Sequence, residues 1–406
     1  MLKPLKKFLL LLCSAMVPIM AFGQGSWSSL PDHPGPKHRN VASFQIGDKV
    51  YYLMAKDSTG CSYKFWEFDA SSQSWTQLSD FPGNNTQKDL DGFAIDSTGY
   101  IGTGASCGGG TLAEFWAYDP RTDTWTQKAS YPAGGREMTI AFSVNGKGFI
   151  GLGRSSFGNN KTELYSYDPN TDSWTQRAFY PGEGKINDVA LTAYGNAYVQ
   201  GGASSTSDGT KELWQYDPQT DQWGQLPDLP GQGRANASGF EISGYLYFGG
   251  GWNGTSYFSD FYRYDPLNNV WKSIPDKPGT ALRNAEGFSV DGKGYFVGGK
   301  DASNTLTDAV HVYRSAFVSQ KEFQSDKATF SLYPNPAQEK VRIEMKGQEK
   351  AVQEVRLLST EGKLLLSEEM NGPRKELGLN GLAKGLYFIE LRSEDGSVQR
   401  KKLMVK

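Results

Sequence analysis

Tryptophans at positions 27, 75, 125, 174, 223 and 271 follow one another at intervals of 48, 50, 49, 49 and 48 residues. A repeat at that period is a supersecondary unit that buries its apolar face only against its neighbours, so it constrains the fold more than any local motif. The third unit reads AFSVNGKGFIGLG, a polar loop, then ELYSYDPNTDSWTQ. Its counterparts include GFEISGYLYFGG with DFYRYDPLNNVWKS, and GFSVDGKGYFVGG with AVHVYRSAF. Alternating apolar residues in AFSV, KGFIGL, ELYSY and SWTQ predict four short strands, a to d. NGKG supplies the a–b hairpin with a glycine suited to φ > 0, and Asp-Pro opens the c–d turn. Composition agrees: 48 glycines and 13% aromatic residues suit short strands and tight turns.

The number of units follows from a mismatch. Six units carry strands a to c, ending at Phe68-Asp69, Tyr118-Asp119, Tyr167-Asp168, Tyr216-Asp217, Tyr264-Asp265 and Val312-Tyr313. Only the first five lead into a Trp-bearing strand d, while a spare one, Ser26-Trp27-Ser28, precedes the first unit. Pairing the spare strand with the sixth unit removes two open sheet edges. The expected fold is all-β, a six-bladed propeller closed by an N-terminal d strand, with the recurring tryptophans packed between blades.

These residues resemble the Kelch family. The resemblance rests on a Gly doublet ending strand b (Gly201-Gly202, Gly249-Gly250, Gly298-Gly299), an aromatic before Asp-Pro on strand c, and the Trp of strand d. It covers residues 27–316. The first three units depart from the doublet, with Met54-Ala55, Gly102-x-Gly104 and Gly151-x-Gly153.

Strands that run up and down in turn place the short a–b and c–d turns on one face and the long b–c and d–a loops on the other. Variable loops on a rigid scaffold carry binding residues, so the site is expected on the b–c/d–a face. Each unit has a basic residue before strand a: Arg39, Lys88, Arg136, Lys185, Arg234 and Arg283, accompanied by amides such as Asn236 and Asn284. They are expected around the channel mouth, as a socket for an anionic or polyhydroxylated ligand. The competing reading makes most of them structural ties between loops, with a subset left to bind. The b–c loops add Phe157, Trp252, Tyr257 and Phe258, aromatics suited to stacking on a sugar or anchoring a protein partner.

The N-terminus has the basic, apolar and small-residue regions of a signal peptide over 1–23, with 24–316 as propeller. No other segment has the ~20 apolar residues of a transmembrane helix. A net charge of −2 gives no reason to expect nucleic acid as a partner. Export permits a disulfide between Cys61 and Cys107, which fall in equivalent loops of neighbouring repeats. After a polar linker, 317–329, residues 330–406 read as a separate small β-sandwich-like domain. Tyr333-Pro334-Asn335-Pro336, Gly385-Leu386-Tyr387-Phe388 and the end Lys401-Lys402-Leu403-Met404-Val405-Lys406 resemble the C-terminal sorting domain of the type IX secretion system of Bacteroidetes. That resemblance implies contact with the secretion machinery, passage through the periplasm, and residence at the outer-membrane surface or outside the cell.

Kelch propellers include a copper radical oxidase, a sialic acid epimerase (mutarotase) and many binding modules. With three histidines and no cysteine near a plausible tyrosine ligand, the oxidase's requirements are unmet; no metal or cofactor is expected. Anomer exchange needs an acid/base pair and a clamp for a carboxylate, for which Glu137 or Glu286 with Arg136, Arg234 or Arg283 are candidates. A non-catalytic module binding a glycan or protein needs only scaffold and loops, and ranks first.

Overall fold

The computed structural model describes residues 25–58, 60–83, 87–315, 330–345, 352–358, 364–370, 372–393 and 398–406. The expected signal segment and linker lie outside them. Six four-stranded antiparallel sheets make the blades. Their innermost strands, a, are His38–Ile46, Asp91–Ile95, Ile140–Val144, Ile186–Ala193, Ser238–Ile242 and Glu286–Val290 for blades 1 to 6. Each touches the next and the sixth touches the first, so the ring is closed. In blade 6 the outer strand is Ser26–Leu30, lying along Val310–Arg314 with Trp27 opposite Tyr313.

Three repeated contacts join the blades. An aromatic ring of strand a covers a glycine of the next blade's strand b: Phe44 over Gly99, Phe93 over Gly148, Phe240 over Gly294. A side chain there would occupy the ring's own space. In blades 3 to 6 the strand-d indole reaches back to a carbonyl of the preceding blade: Trp174 Nε1 donates to Ala129 O at 2.8 Å, Trp223 to Ala178 O at 3.0 Å, Trp271 to Pro227 O and Trp27 to Pro275 O at 2.8 Å each. The third contact uses the aspartate that ends the c–d turn in blades 2, 3 and 4: Asp123, Asp172 and Asp221. Asp172 accepts from Tyr167 Oη at 2.7 Å and from the Ala129 amide of the previous blade at 3.0 Å, and Asp221 does the same with Tyr216 and Ala178. Asp119, Asp168 and Asp217, which open those turns, cap their own backbone amides. The recurring acids are turn and latch residues.

Cys61 and Cys107 form a disulfide with Cα atoms 6.4 Å apart, joining the b–c edges of blades 1 and 2. In the tail, a three-stranded sheet (Phe330–Tyr333, Lys340–Met345, Arg374–Gly378) and a four-stranded sheet (Leu364–Glu369, Val352–Leu358, Gly385–Ser393, Val398–Val405) share one core, with Val341 and Ile343 from the first meeting Leu357, Ile389 and Leu403 from the second.

Candidate functional site

The central channel is lined at its b–c/d–a mouth by Asn40, Asp89, Met138, Asn187, Asn236 and Asn284, one per blade. All six have left-handed backbone, with φ between 52° and 60°. That conformation turns amides around the ring: Asn284 donates to Asn236 O and Asn236 to Asn187 O, both at 3.0 Å, Met138 to Asp89 O at 3.2 Å and Asn40 to Asn284 O at 3.4 Å. Asn and Asp tolerate this geometry better than other L-residues, which explains their recurrence before strand a. The six basic residues are not in the lining.

Further in, carboxyl groups line a cavity of about 210 Å³. Glu286 accepts from Ser43 Oγ at 2.6 Å, and burial pushes its carboxyl up to about 8. Asp91 accepts from Thr139 Oγ1 and is pushed up to about 7 by burial. Glu137, the other candidate acid, is taken by Arg154, which donates Nη2 and Nε to one carboxylate oxygen at 2.6 and 3.0 Å.

The six cations divide into two registers, one residue apart. Counted back from the strand-a residues Phe44, Phe93, Phe142, Leu191, Phe240 and Phe288, Arg136, Lys185 and Arg234 stand six positions before, and Arg39, Lys88 and Arg283 five before. Adjacent residues of an extended chain point to opposite sides, and the two sets have opposite fates. The first set is buried and paired with acids, although Arg136 Nε itself has no hydrogen-bond partner. Arg234 is fully buried, pairs with both oxygens of Asp260 at 2.7 and 3.0 Å, and lies 4.6 Å under the Phe258 ring. Lys185 reaches Glu212 at 2.5 Å and Arg136 reaches Glu163 at 3.5 Å. Each of these acids directly precedes a strand c, so this register ties one blade's entry to its third strand.

The second set faces the rim on three consecutive blades, 6, 1 and 2. Lys88 lies 3.8 Å from Asp89. Arg283 stacks its guanidinium over Trp252 at 4.5 Å and Tyr257 at 5.3 Å, rings that form a cross-strand pair in the blade 5 b–c loop. Its cross-strand partner is Lys300, and the two exchange both backbone hydrogen bonds at 3.0 Å. Arg39 stands opposite Lys56 at the equivalent position. Sequence reasoning missed Lys56 and Lys300, whose meaning comes from pairing across strands. Burial, followed by Arg39, Arg283 and Lys56, holds the Lys300 ammonium down to about 8. Burial lowers Arg39 as well, with Asp89 opposing and Arg283 adding to the effect. At the tip of the blade 3 b–c loop, Phe157 is 90% exposed.

Residues 331–406 match the family described as secretion system C-terminal sorting domain, and residues 233–278 match the Kelch motif. No curated protein matches the sequence. Among solved structures, one described as "Structure of YjhT" aligns with a TM-score of 0.60 at 17% identity, covering 69% of this chain and 95% of that one. Solved chains matching the fold number 620, so architecture alone does not choose a ligand. Among the described residues no helix is long and apolar enough to cross a membrane. The chain is a Kelch-type β-propeller followed by a type IX sorting domain, which directs it to the cell surface or the extracellular space.

Proposed function

We propose that the protein acts outside the cell as a binding module whose ligand, a glycan, docks on the b–c/d–a face where blades 5, 6 and 1 meet. The observation that carries this reading is the rim cluster: Trp252 and Tyr257 are half-buried, stand outside the apolar clusters that blade 5 forms with its neighbours and share the Arg283 guanidinium. Half-exposed aromatic faces beside fixed donors suit a ring with one apolar face and a hydroxylated edge. Saturable binding is expected on a glycan array, with Trp252→Ala and Tyr257→Ala each abolishing it. An array without hits overturns the reading, and hits on a protein array alone replace the glycan with a protein ligand.

Glu286 favours a second reading, anomer exchange on an acidic sugar. With its carboxyl near 8 and Asp91 near 7 in one channel, a neutral acid and a second titrating group coexist at physiological pH. Following a single sialic acid anomer by NMR tests this, and a rate equal to buffer ends it.

A further inference from the structure

Cross-strand neighbours that exchange both backbone hydrogen bonds hold their Cα atoms ~5.5 Å apart with side chains on one side, and like charges there are destabilising. The propeller uses that pair position, where the d–a segment meets the start of the b–c loop, in blade after blade. In blade 3 it holds Glu137 and Arg154, a closed ion pair. In blade 5 it holds Ala235 and Trp252. In blades 6 and 1, which are adjacent, it holds Arg283 with Lys300 and Arg39 with Lys56, two pairs of like charge.

No carboxylate closes an ion pair with any of these four cations among the described residues, and of the carboxylates only Asp89 opposes the lowering of Arg39. Lys300 has only the Asn304 amide oxygen at 2.9 Å, and Arg283 Nε is buried without a partner. The nearby acids are engaged elsewhere: Asp89 by Asn40 and Lys88, Asp301 by the Ser303 and Thr305 amides of its own turn, while Asp57 acts on His38. Burial first, and the crowding by Arg39, Arg283 and Lys56 after it, lowers the Lys300 ammonium. The chain as a whole carries −2, so the positive field is local.

Building on the glycan reading above, we propose that Arg39, Lys56, Arg283 and Lys300, walled by Trp252 and Tyr257, form a site for a glycan bearing two or more anionic groups, sulfate or uronate. Four cations without an ion-pair partner among the described residues exceed what one carboxylate can balance. Two guanidinium forks offer bidentate geometry to sulfate and carboxylate alike, and the two rings take the sugar face between charges.

The test uses the full chain, titrated calorimetrically with a chondroitin sulfate oligosaccharide, an oligogalacturonate and a neutral maltooligosaccharide of equal length. Binding of either acidic probe, absent for the neutral one and weakened by salt, is expected; which acidic probe binds separates sulfate from uronate. Lys300→Gln and Arg39→Gln should each weaken it roughly tenfold. Both variants should also melt higher than the parent, because each relieves repulsion, whereas loss of a structural tie lowers the melting temperature. Equal binding of the neutral probe, or acidic binding unchanged in both variants, overturns the polyanion site and leaves the glycan reading standing. Binding of no saccharide on the array or in the calorimeter overturns both.

Discussion

Lys277 occupies, in blade 5, a position that the other blades fill with Phe81, Tyr131, Tyr180, Leu229 and His33. The equivalence is structural: each backbone amide donates to a carbonyl before strand c, from 2.8 to 3.0 Å, and each side chain inserts beneath the d–a loop. Five of these side chains are uncharged there, since burial holds even the His33 imidazole down to about 3. Lys277 is 2% exposed, its ammonium donates to Pro278 O at 2.7 Å, and burial brings it down to about 8. Between pH 8 and 10.5 the unfolded chain binds this proton and the folded one does not, so stability gains as pH rises through that window. Below pH 8 both forms are protonated and the full cost of burying charge is present. Lys277→Leu, which copies blade 4, should therefore stabilise the protein by about 1–3 kcal/mol at pH 7. Denaturant titrations at several pH values check this, and the gain should shrink toward pH 10. A gain independent of pH would show that packing, and not charge, sets the effect.

At the scale of the strand, the blades meet where an aromatic ring of strand a has no room for a side chain on the next strand b. Gly148 receives Phe93 in this way, whereas Gly224, on the outer strand Gln222–Leu226, has open space. Gly148→Val should lower the melting temperature by roughly 5 °C and Gly224→Val by little, a contrast readable by thermal denaturation. Equal shifts would mean that the loss comes from backbone conformation and not from the interface. The sequence made this architecture legible because blade count, turns and the tryptophan latches follow from period and alternation, which every repeat restates. The site was less legible. The basic residues before strand a look like one column until they are counted from Phe44, Phe93, Phe142, Leu191, Phe240 and Phe288, when they separate into two registers. A one-residue offset in a strand exchanges the buried side for the exposed one, so Arg234 became a core ion pair and Arg283 a rim residue. The acids Glu163, Glu212 and Asp260 before strand c were the available signal for the first register. Lys300 and Lys56 carried no signal of their own, because repulsion across a strand pair appears only once the pairing is known.

For the whole molecule, ring closure and the rim cluster lie on the same pair of blades. Ser26–Leu30 supplies the outer strand of blade 6, and Trp27 ties that blade to blade 5 through Pro275 O and packs on Phe261 and Tyr313 at 4.9 and 5.2 Å. Arg283 and Lys300 stand on the inner part of blade 6, and Arg39 and Lys56 on blade 1, across the joint where the last blade meets the first. Removing residues through Leu30 would leave Val310–Arg314 as an open edge, a template for association with other chains. It would also delete Trp27, a half-buried ring packed against the core that joins blades 5 and 6. A chain starting at Pro31 is expected to melt at least about 5 °C lower and to elute partly as oligomers in size-exclusion chromatography. Because the four cations depend on blades 6 and 1 holding their spacing, acidic-glycan binding should fall with the closure. Adding a synthetic peptide spanning residues 24–30 in excess should restore both, since the strand pairs by main-chain hydrogen bonds and needs no covalent link. Truncation that leaves melting and binding unchanged would contradict closure by this strand. Loss of stability with binding intact would instead detach the cation cluster from the geometry of the joint.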